Sequence, residues 1–313
     1  MELENRPAKG PKVPVMKVRL VRRAGRLSQE SGSIVAGYDG SEEAGAAVRW
    51  AARCAQAMNS PLRVVHCSLW PLLTRHLGPV PGVSGSGLEQ SAQSILDEGV
   101  GHAAAEVPEL DIRSTLLHGL PAQLLGQTSA GDSMLVVGSR GLGGFLGLLV
   151  GSVSLELAAT AACPVAVIRQ DLHPDGPVVA AVDVSGSPSV LADACALAVA
   201  WKAPMTVVHV QHQPPGHHRP DLEGSAADAR ETLDAALAHA RGLAPAVSVE
   251  GLLLADSSVP HAILNAAEKA RIVVVGSQGR GILRETLGST AHAVLHHANG
   301  PVLVSRHGGE AAR

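Results

Sequence analysis

Aromatic side chains are scarce in this chain. Three tryptophans, one tyrosine and one phenylalanine make up 2% of its 313 residues, whereas apolar residues reach 46%. Its cores must therefore be filled mainly by valine, leucine, isoleucine and alanine, which favours buried parallel strands. Charge of one sign is also lacking: a formal net charge of −3 gives no broad electrostatic reason to expect nucleic acid or an anionic membrane as a partner. No stretch reaches the ~18 to 20 uncharged apolar residues needed to span a bilayer, and the N-terminal region has no apolar signal core. A cytoplasmic protein is expected. Cys54, Cys67, Cys163 and Cys195 show no C-x-x-C spacing and sit in apolar segments, so buried thiols rather than disulfides are expected.

Several catalytic signatures are missing as well. No G-x4-G-K-[ST] loop is present, which argues against strong nucleotide hydrolysis by that arrangement. A dinucleotide fingerprint fails too, because Gly141-Leu142-Gly143 is followed three residues later by Leu146. Ser139 directly follows Gly138, so it does not form a G-x-S-x-G nucleophile elbow. His292 and His296 have the i, i+4 spacing that can chelate zinc, with His297 beside them, but no H-E-x-x-H pattern accompanies them. Histidines near a helix C-terminus also suit the dipole there. No acid–base constellation emerges.

What the chain does have is a unit made twice. Gly138-Ser139-Arg140-Gly141, nine residues, then Gly151-Ser152 in the first half matches Gly276-Ser277-Gln278-Gly279, eight residues, then Gly288-Ser289 in the second. The order of flanking landmarks is also shared: Asp39 with Asp183, His66 with His209, Cys163-Pro164 with Gly300-Pro301. The aspartates lie 144 positions apart and the leading glycines 138, so the second copy is six residues shorter between them. A duplicated domain explains this, and 313 residues suit two domains of ~150.

Periodicity predicts alternating strands and helices. In the first half these are strands at 33–38, 62–67, 112–117, 134–137 and 164–168, with helices at 42–57, 88–106, from Pro121, and at 152–161. Alternation of this kind specifies α/β sandwiches, each a mainly parallel open sheet with helices on both faces. The expected domains are 31–170 and 177–307, joined by a polar linker at 171–176. Residues 308–313 read as a short tail. Residues 1–30 carry eight Lys and Arg against three Glu and read as a solvated basic tail, or as an arm for an acidic partner. Met16 offers another reading, in which translation starts there. The segment 69–87, rich in Pro, Gly and Ser, is expected to form a lid or rim.

The glycine loops follow the β-branched runs at 134–137 and 272–275, beyond strand carboxyl ends, where open α/β sheets bind ligands. Glycine lets backbone come close to a ligand. The final Gly-Ser opens a helix whose unpaired N–H groups and positive dipole end favour an anion, with the Ser152 or Ser289 hydroxyl as a further donor. The dipole supplies only ~0.3 to 1 kcal/mol when exposed, so several N–H groups must act together. A polyphosphate is the natural guest. Asp39 and Asp183, at the tips of the first strands, would accept ribose or base hydrogen bonds or touch magnesium. Alternatively they cap the helices that follow.

Taken together, VAGYDGS at 35–41, VVH at 64–66, VVGSRG at 136–141 with its G-S continuation, and the Cys-Pro-Val at 163–165 resemble the universal stress protein family, twice over and across nearly all of residues 31–307. The resemblance implies five-stranded parallel sheets of order 3-2-1-4-5 and ATP, with magnesium, as ligand. By it, backbone at Cys67 or Val210 holds adenine, and Asp39 or Asp183 lies near ribose and metal. Gly138, Gly141, Gly151, Ser152 and Val153 hold ribose and phosphates in the first copy, and Gly276, Gly279, Gly288, Ser289 and Thr290 in the second. Gly37 and Ala181, two residues before the aspartates, join this candidate set. The shortened second loop also holds Arg284 and Glu285, so the first site is the better formed.

The last strands, within 163–169 and 300–306, are expected to pair as an intramolecular pseudo-dimer, by the same resemblance. A homodimer of whole chains and an unknown regulatory protein partner are further expectations. The function expected is a nucleotide-dependent regulator in stress or dormancy. A nucleotide-free interaction scaffold and a slow ATPase or autokinase remain alternatives.

Overall fold

The structure, a computed structural model, describes residues 32–69, 86–141, 150–213, 222–277 and 286–306. The basic segment 1–30, most of the expected rim at 70–85, and the tail 308–313 lie outside the described residues.

In the first half the chain runs β1 (Ile34–Gly37), α1 (Glu42–Ala57), β2 (Leu62–Ser68), α2 (Ser86–Glu106), β3 (Ile112–His118), α3 (Pro121–Thr128), β4 (Met134–Gly138), α4 (Ser152–Thr160) and β5 (Val165–Ile168). The second half repeats this order. Its elements are β6 (Val178–Val182), α5 (Pro188–Trp201), β7 (Met205–His212), α6 (Leu222–Leu243), β8 (Val249–Asp256), α7 (Val259–Ala266), β9 (Ile272–Gly276), α8 (Ser289–His297) and β10 (Val302–Ser305). The ends differ from the periodicity by one or two residues.

The local causes are legible. α1 starts where Ser41 Oγ accepts the Ala44 amide at 3.2 Å, and Glu42 and Glu43 in its first turn complement the dipole. It stops at Asn59, whose φ of 50° is left-handed. Proline occupies the first turn of α3, α5 and α7, where no intrahelical N–H bond is lost.

All ten strands form one sheet, ordered β3-β2-β1-β4-β5-β10-β9-β6-β7-β8. Each half therefore has the order 3-2-1-4-5, and its strands are parallel. The seam is antiparallel: Val302, Leu303 and Val304 of β10 lie beside Val167, Ala166 and Val165 of β5.

Strand residues alternate between two cores, as the period of two requires. Ile34, Ala36, Val64 and Val136 face the layer of α1, α2, α5 and α6. Val35, Val65, Leu135 and Val137 face α3, α4, α7 and α8. Both cores run across the seam. On the first face Trp50 and Trp201 meet edge to face at 5.7 Å between centroids, and the Arg271 guanidinium stacks 4.1 Å from the Trp201 ring. The expected linker is tied down, because Arg53 of α1 bonds Asp171 at 2.5 Å and Glu106 of α2 at 2.6 Å.

Candidate functional site

β1 lies between β2 and β4, and the helices α1 and α3 that lead into those two strands lie on opposite faces of the sheet, so a crevice opens at the carboxyl end of β1. Asp39 and Gly141 meet there. A Cβ on Gly141 would collide with Asp39 Oδ2, so glycine lets the loop backbone come this close without displacing that side chain. Asp39 Oδ1 accepts the Ser41 amide at 3.0 Å and the Ser41 hydroxyl at 2.6 Å. The helix cap itself is Ser41; the aspartate orients the cap instead of being it. Gly40, with φ 91°, closes this turn in a conformation that glycine favours.

Gly138 ends β4 against the first turn of α1: a Cβ there would stand 2.8 Å from the Glu43 carbonyl carbon and 2.9 Å from the Ala44 nitrogen. Gly37 faces Leu125 Cδ1, which would lie 3.0 Å from an added Cβ. Both glycines serve close packing beneath the crevice. Arg140 bonds Glu43 Oε1 at 2.7 Å, which fastens the loop to α1.

Helix α4 begins after Gly151. The Gly151 amide, one of the expected anion donors, is already engaged by the Ser139 carbonyl at 2.7 Å. That bond closes the loop back onto β4. The amides of Ser152, Val153 and Ser154 follow at the helix start, and none donates within the described residues, the next bond being Leu155 N–H to the Gly151 carbonyl at 3.1 Å. The Ser154 hydroxyl donates to the Gly138 carbonyl at 2.7 Å and pins the helix start to the strand end. Beneath it the Ser139 hydroxyl is 1% exposed and has no partner within the described residues. Burial first, then Arg140, pushes the Arg169 guanidinium below its usual range.

On the β2 side, Val65 bonds the Tyr38 amide through its carbonyl at 2.9 Å. Strand alternation turns Cys67 backbone the same way, beyond Gly37, the last residue of β1. Its amide and carbonyl therefore face the crevice. The half-buried Cys67 thiol is pushed up to about 11 by burial. His66 is buried, and its Nδ1 lies 2.8 Å from the Tyr38 carbonyl. A carbonyl only accepts, so Nδ1 carries the proton. His209 repeats this contact with Val182 at 3.0 Å, which makes the paired histidines braces for the Asp-bearing turns. Tyr38 is pushed up to about 12, chiefly by burial and then by Glu98.

The second copy departs from this plan. Val184 stands where Gly40 does, and Gly186 (φ 75°) and Ser187 (φ 44°) supply the left-handed bend two residues later. Asp183 Oδ1 takes three donors: the Ser185 amide at 2.8 Å, its hydroxyl at 2.5 Å, and the Ser187 hydroxyl at 3.0 Å. The helix caps Ser41 and Ser187 are 146 positions apart, against 144 for the aspartates. Gly288 bonds the Ser277 carbonyl at 2.8 Å, as Gly151 does Ser139, and Ser289 and Thr290 begin α8. Gly276 ends β9, Ala181 lies near the end of β6, and Val210 is the register counterpart of Cys67. Gly279, Arg284 and Glu285 lie outside the described residues.

At the far end of α8, His292 and His296 stack at 4.5 Å and His297 lies 6.4 Å from His296. Among the described residues no group of three or more His, Cys, Asp or Glu is placed to hold a metal ion. The four cysteines are free, and no helix among the described residues is long and apolar enough to cross a membrane. Sequence reasoning missed Arg169 and Arg306, which reach across the seam. Their signal was in the repeat: each follows the last strand of its half.

A profile of the family described as "Universal stress protein family" matches residues 31–169 and again 176–306. A universal stress protein of Mycobacterium tuberculosis is 35% identical over 292 residues, covering 87% of this chain and 96% of its own. A second from that organism is 30% identical over 286 residues, with the same coverage. Among solved structures, a universal stress protein from Archaeoglobus fulgidus aligns with a TM-score of 0.65 at 19% identity, over 88% of this chain and 99% of its own. That likeness concerns the fold.

Proposed function

The chain belongs to the universal stress protein family, and we propose that it binds ATP in its first half and uses occupancy to alter contacts with a regulatory protein partner during stress or dormancy. One observation carries this reading: the three helix-start amides of Ser152 to Ser154 have no acceptor among the described residues and lie across a crevice from Asp39 and Gly141. Such amides suit phosphate oxygens, singly weak and jointly effective. Cys67 backbone would take the adenine edge, Asp39 the ribose or a magnesium ion carried by the phosphates, and Gly141 the close approach of the sugar. ATP supplies the anion and the base that this cradle matches; the chain's part is to bind and orient them.

We assign two domains, 31–170 and 177–307, joined by 171–176, which pair through β5 and β10 as an intramolecular pseudo-dimer. A cytoplasmic location fits this reading, as does a further homodimer of chains. The test is direct. The purified protein is denatured and any released nucleotide identified, and Mg-ATP is titrated calorimetrically into protein cleared of ligand. Retained ATP, or saturable heat whose affinity a Gly151 variant weakens, supports the proposal. No nucleotide and no heat would leave an interaction scaffold. ADP accumulating with time would favour a slow ATPase.

A further inference from the structure

Each half follows its last strand with an arginine, Arg169 after β5 and Arg306 after β10, 137 positions apart. Each side chain reaches into the opposite half. Arg306 crosses the seam to the C-terminal end of α4, where Nη1 donates to the Ala159 carbonyl at 2.9 Å and Nη2 to the Leu157 carbonyl at 3.0 Å. Arg169 does the reverse at α8, with Nη1 donating to the Ala298 carbonyl at 2.8 Å and both terminal nitrogens 3.4 Å from the His296 carbonyl. The contacts are related as in a two-fold interface, although both halves belong to one chain.

The Ala159 and His296 carbonyls lie in the last turns, where a helix leaves carbonyls without an intrahelical partner and has its negative pole; Ala298 is the C-cap of α8, and the Leu157 carbonyl also accepts the Ala161 amide at 2.9 Å. Burial lowers the proton affinity of both guanidinium groups, and the helix ends offer them compensation. At the other end of α4, nine residues and about 13 Å away at 1.5 Å per residue, stand the amides of Ser152, Val153 and Ser154. One short helix thus bears the candidate site at its first turn and the other half's arginine at its last.

We propose that Arg306 is a positioning residue for the first site: the second half holds α4 by its C-terminal end, so that its first turn faces Asp39 and Gly141. Arg169 plays this part for α8 and the second copy. The ligand side of the proposal rests on the ATP reading above. Coupling is reciprocal by linkage, so a ligand at the first turn of α4 strengthens the hold of Arg306 at the last.

A seam latch with no positioning role would be indifferent to which arginine is removed. The discriminating experiment compares Arg306→Met with Arg169→Met in the full chain. Amide hydrogen exchange is read at Leu155, bonded to the Gly151 carbonyl at 3.1 Å, and at His292, bonded to the Gly288 carbonyl at 2.9 Å. Mg-ATP affinity is measured on the same samples. Arg306→Met is expected to speed exchange at Leu155 about tenfold and weaken Mg-ATP about tenfold, about 1.4 kcal/mol. Arg169→Met is expected to leave both within about threefold and to speed His292 instead. Arg306→Lys, which keeps the charge, should restore part of the protection, and it carries the comparison if the methionine variant does not fold. Equal effects of the two variants on Leu155, or no effect of Arg306→Met there, overturn the proposal. If the parent protein takes up no Mg-ATP, the nucleotide reading fails by itself, and the exchange comparison still decides the role of Arg306.

Discussion

Gly138→Ala tests whether the crevice is built by close backbone packing. A methyl at this position would stand 2.8 Å from the Glu43 carbonyl carbon, 2.9 Å from the Ala44 nitrogen and 3.0 Å from the Glu43 oxygen. Unstrained carbon contacts lie near 3.5 to 4.0 Å, so the first turn of α1 must retreat by roughly 0.7 Å. Backbone cannot swing aside as a side-chain tip can. The retreat disturbs a helix that buries Ala47, Val48, Trp50 and Ala51, and insertions into packed cores of this kind cost about 1–3 kcal/mol. At about 2–4 °C per kcal/mol for a domain of this size, the melting temperature should fall by about 2–12 °C. Glu43 moves too, so its 2.7 Å bond to Arg140 lengthens and the loop loosens. Thermal melts followed by circular dichroism read the first effect and Mg-ATP titration the second. A melting temperature within 1 °C of the parent would refute the packing argument.

The remaining predictions share these assays. Gly151→Ala meets nothing closer than 3.6 Å and starts from φ −75°, so the melting temperature should stay within about 2 °C while the added methyl beside the helix start weakens Mg-ATP about tenfold. His296 titrates below its ordinary 6.5, through burial first and then His292, His297 and Arg169. The unfolded chain therefore takes the proton first, and stability falls as pH drops from about 6.5 through the lower folded value; His296→Ala should flatten urea midpoints across that window. Cys67, pushed up to about 11, is about one part in a thousand thiolate at pH 8 by a three-unit difference. Cys54, pushed up to about 12, holds still less, so Ellman's reagent should label neither at a rate near that of the unfolded chain.

The strands and helices were legible because apolar runs, helical periodicity and a repeat agree: the continuous apolar runs at 34–37 and 134–138 mark strands buried on both faces, and every landmark recurs in order. Strand order was legible only through family resemblance, since nothing local says that β1 lies beside β4. One bond at the candidate site departs from the sequence reading. Gly151 looks like a donor in sequence, but its amide turns inward to Ser139, because the loop must return to β4 before the helix can start. Asp39 looks like a cap, while Ser41 does the capping. Arg169 and Arg306 could not be placed, because their partners lie 127 to 149 positions away and the contacts exist only once the seam has formed.

Val184 explains why the two halves should bind unequally. Gly40 closes the first turn at φ 91°, a conformation that costs a β-branched residue dearly. The second copy, with valine at that place, bends two residues later through Gly186 and Ser187, and this draws the Ser187 hydroxyl onto Asp183 Oδ1 as a third donor at 3.0 Å. Asp183 Oδ1, with three donors among the described residues against the two on Asp39 Oδ1, has less capacity left for a ribose or magnesium. Restoring glycine at 184 would not suffice, because the two extra residues before Ser187 remain. Mg-ATP titration should therefore give one tight equivalent per chain, abolished by changes around Gly141 and indifferent to Asp183→Asn. Two equivalents of matched affinity would mean that the longer turn leaves the second crevice competent, and the link drawn here from a valine to an occupied carboxylate would be wrong.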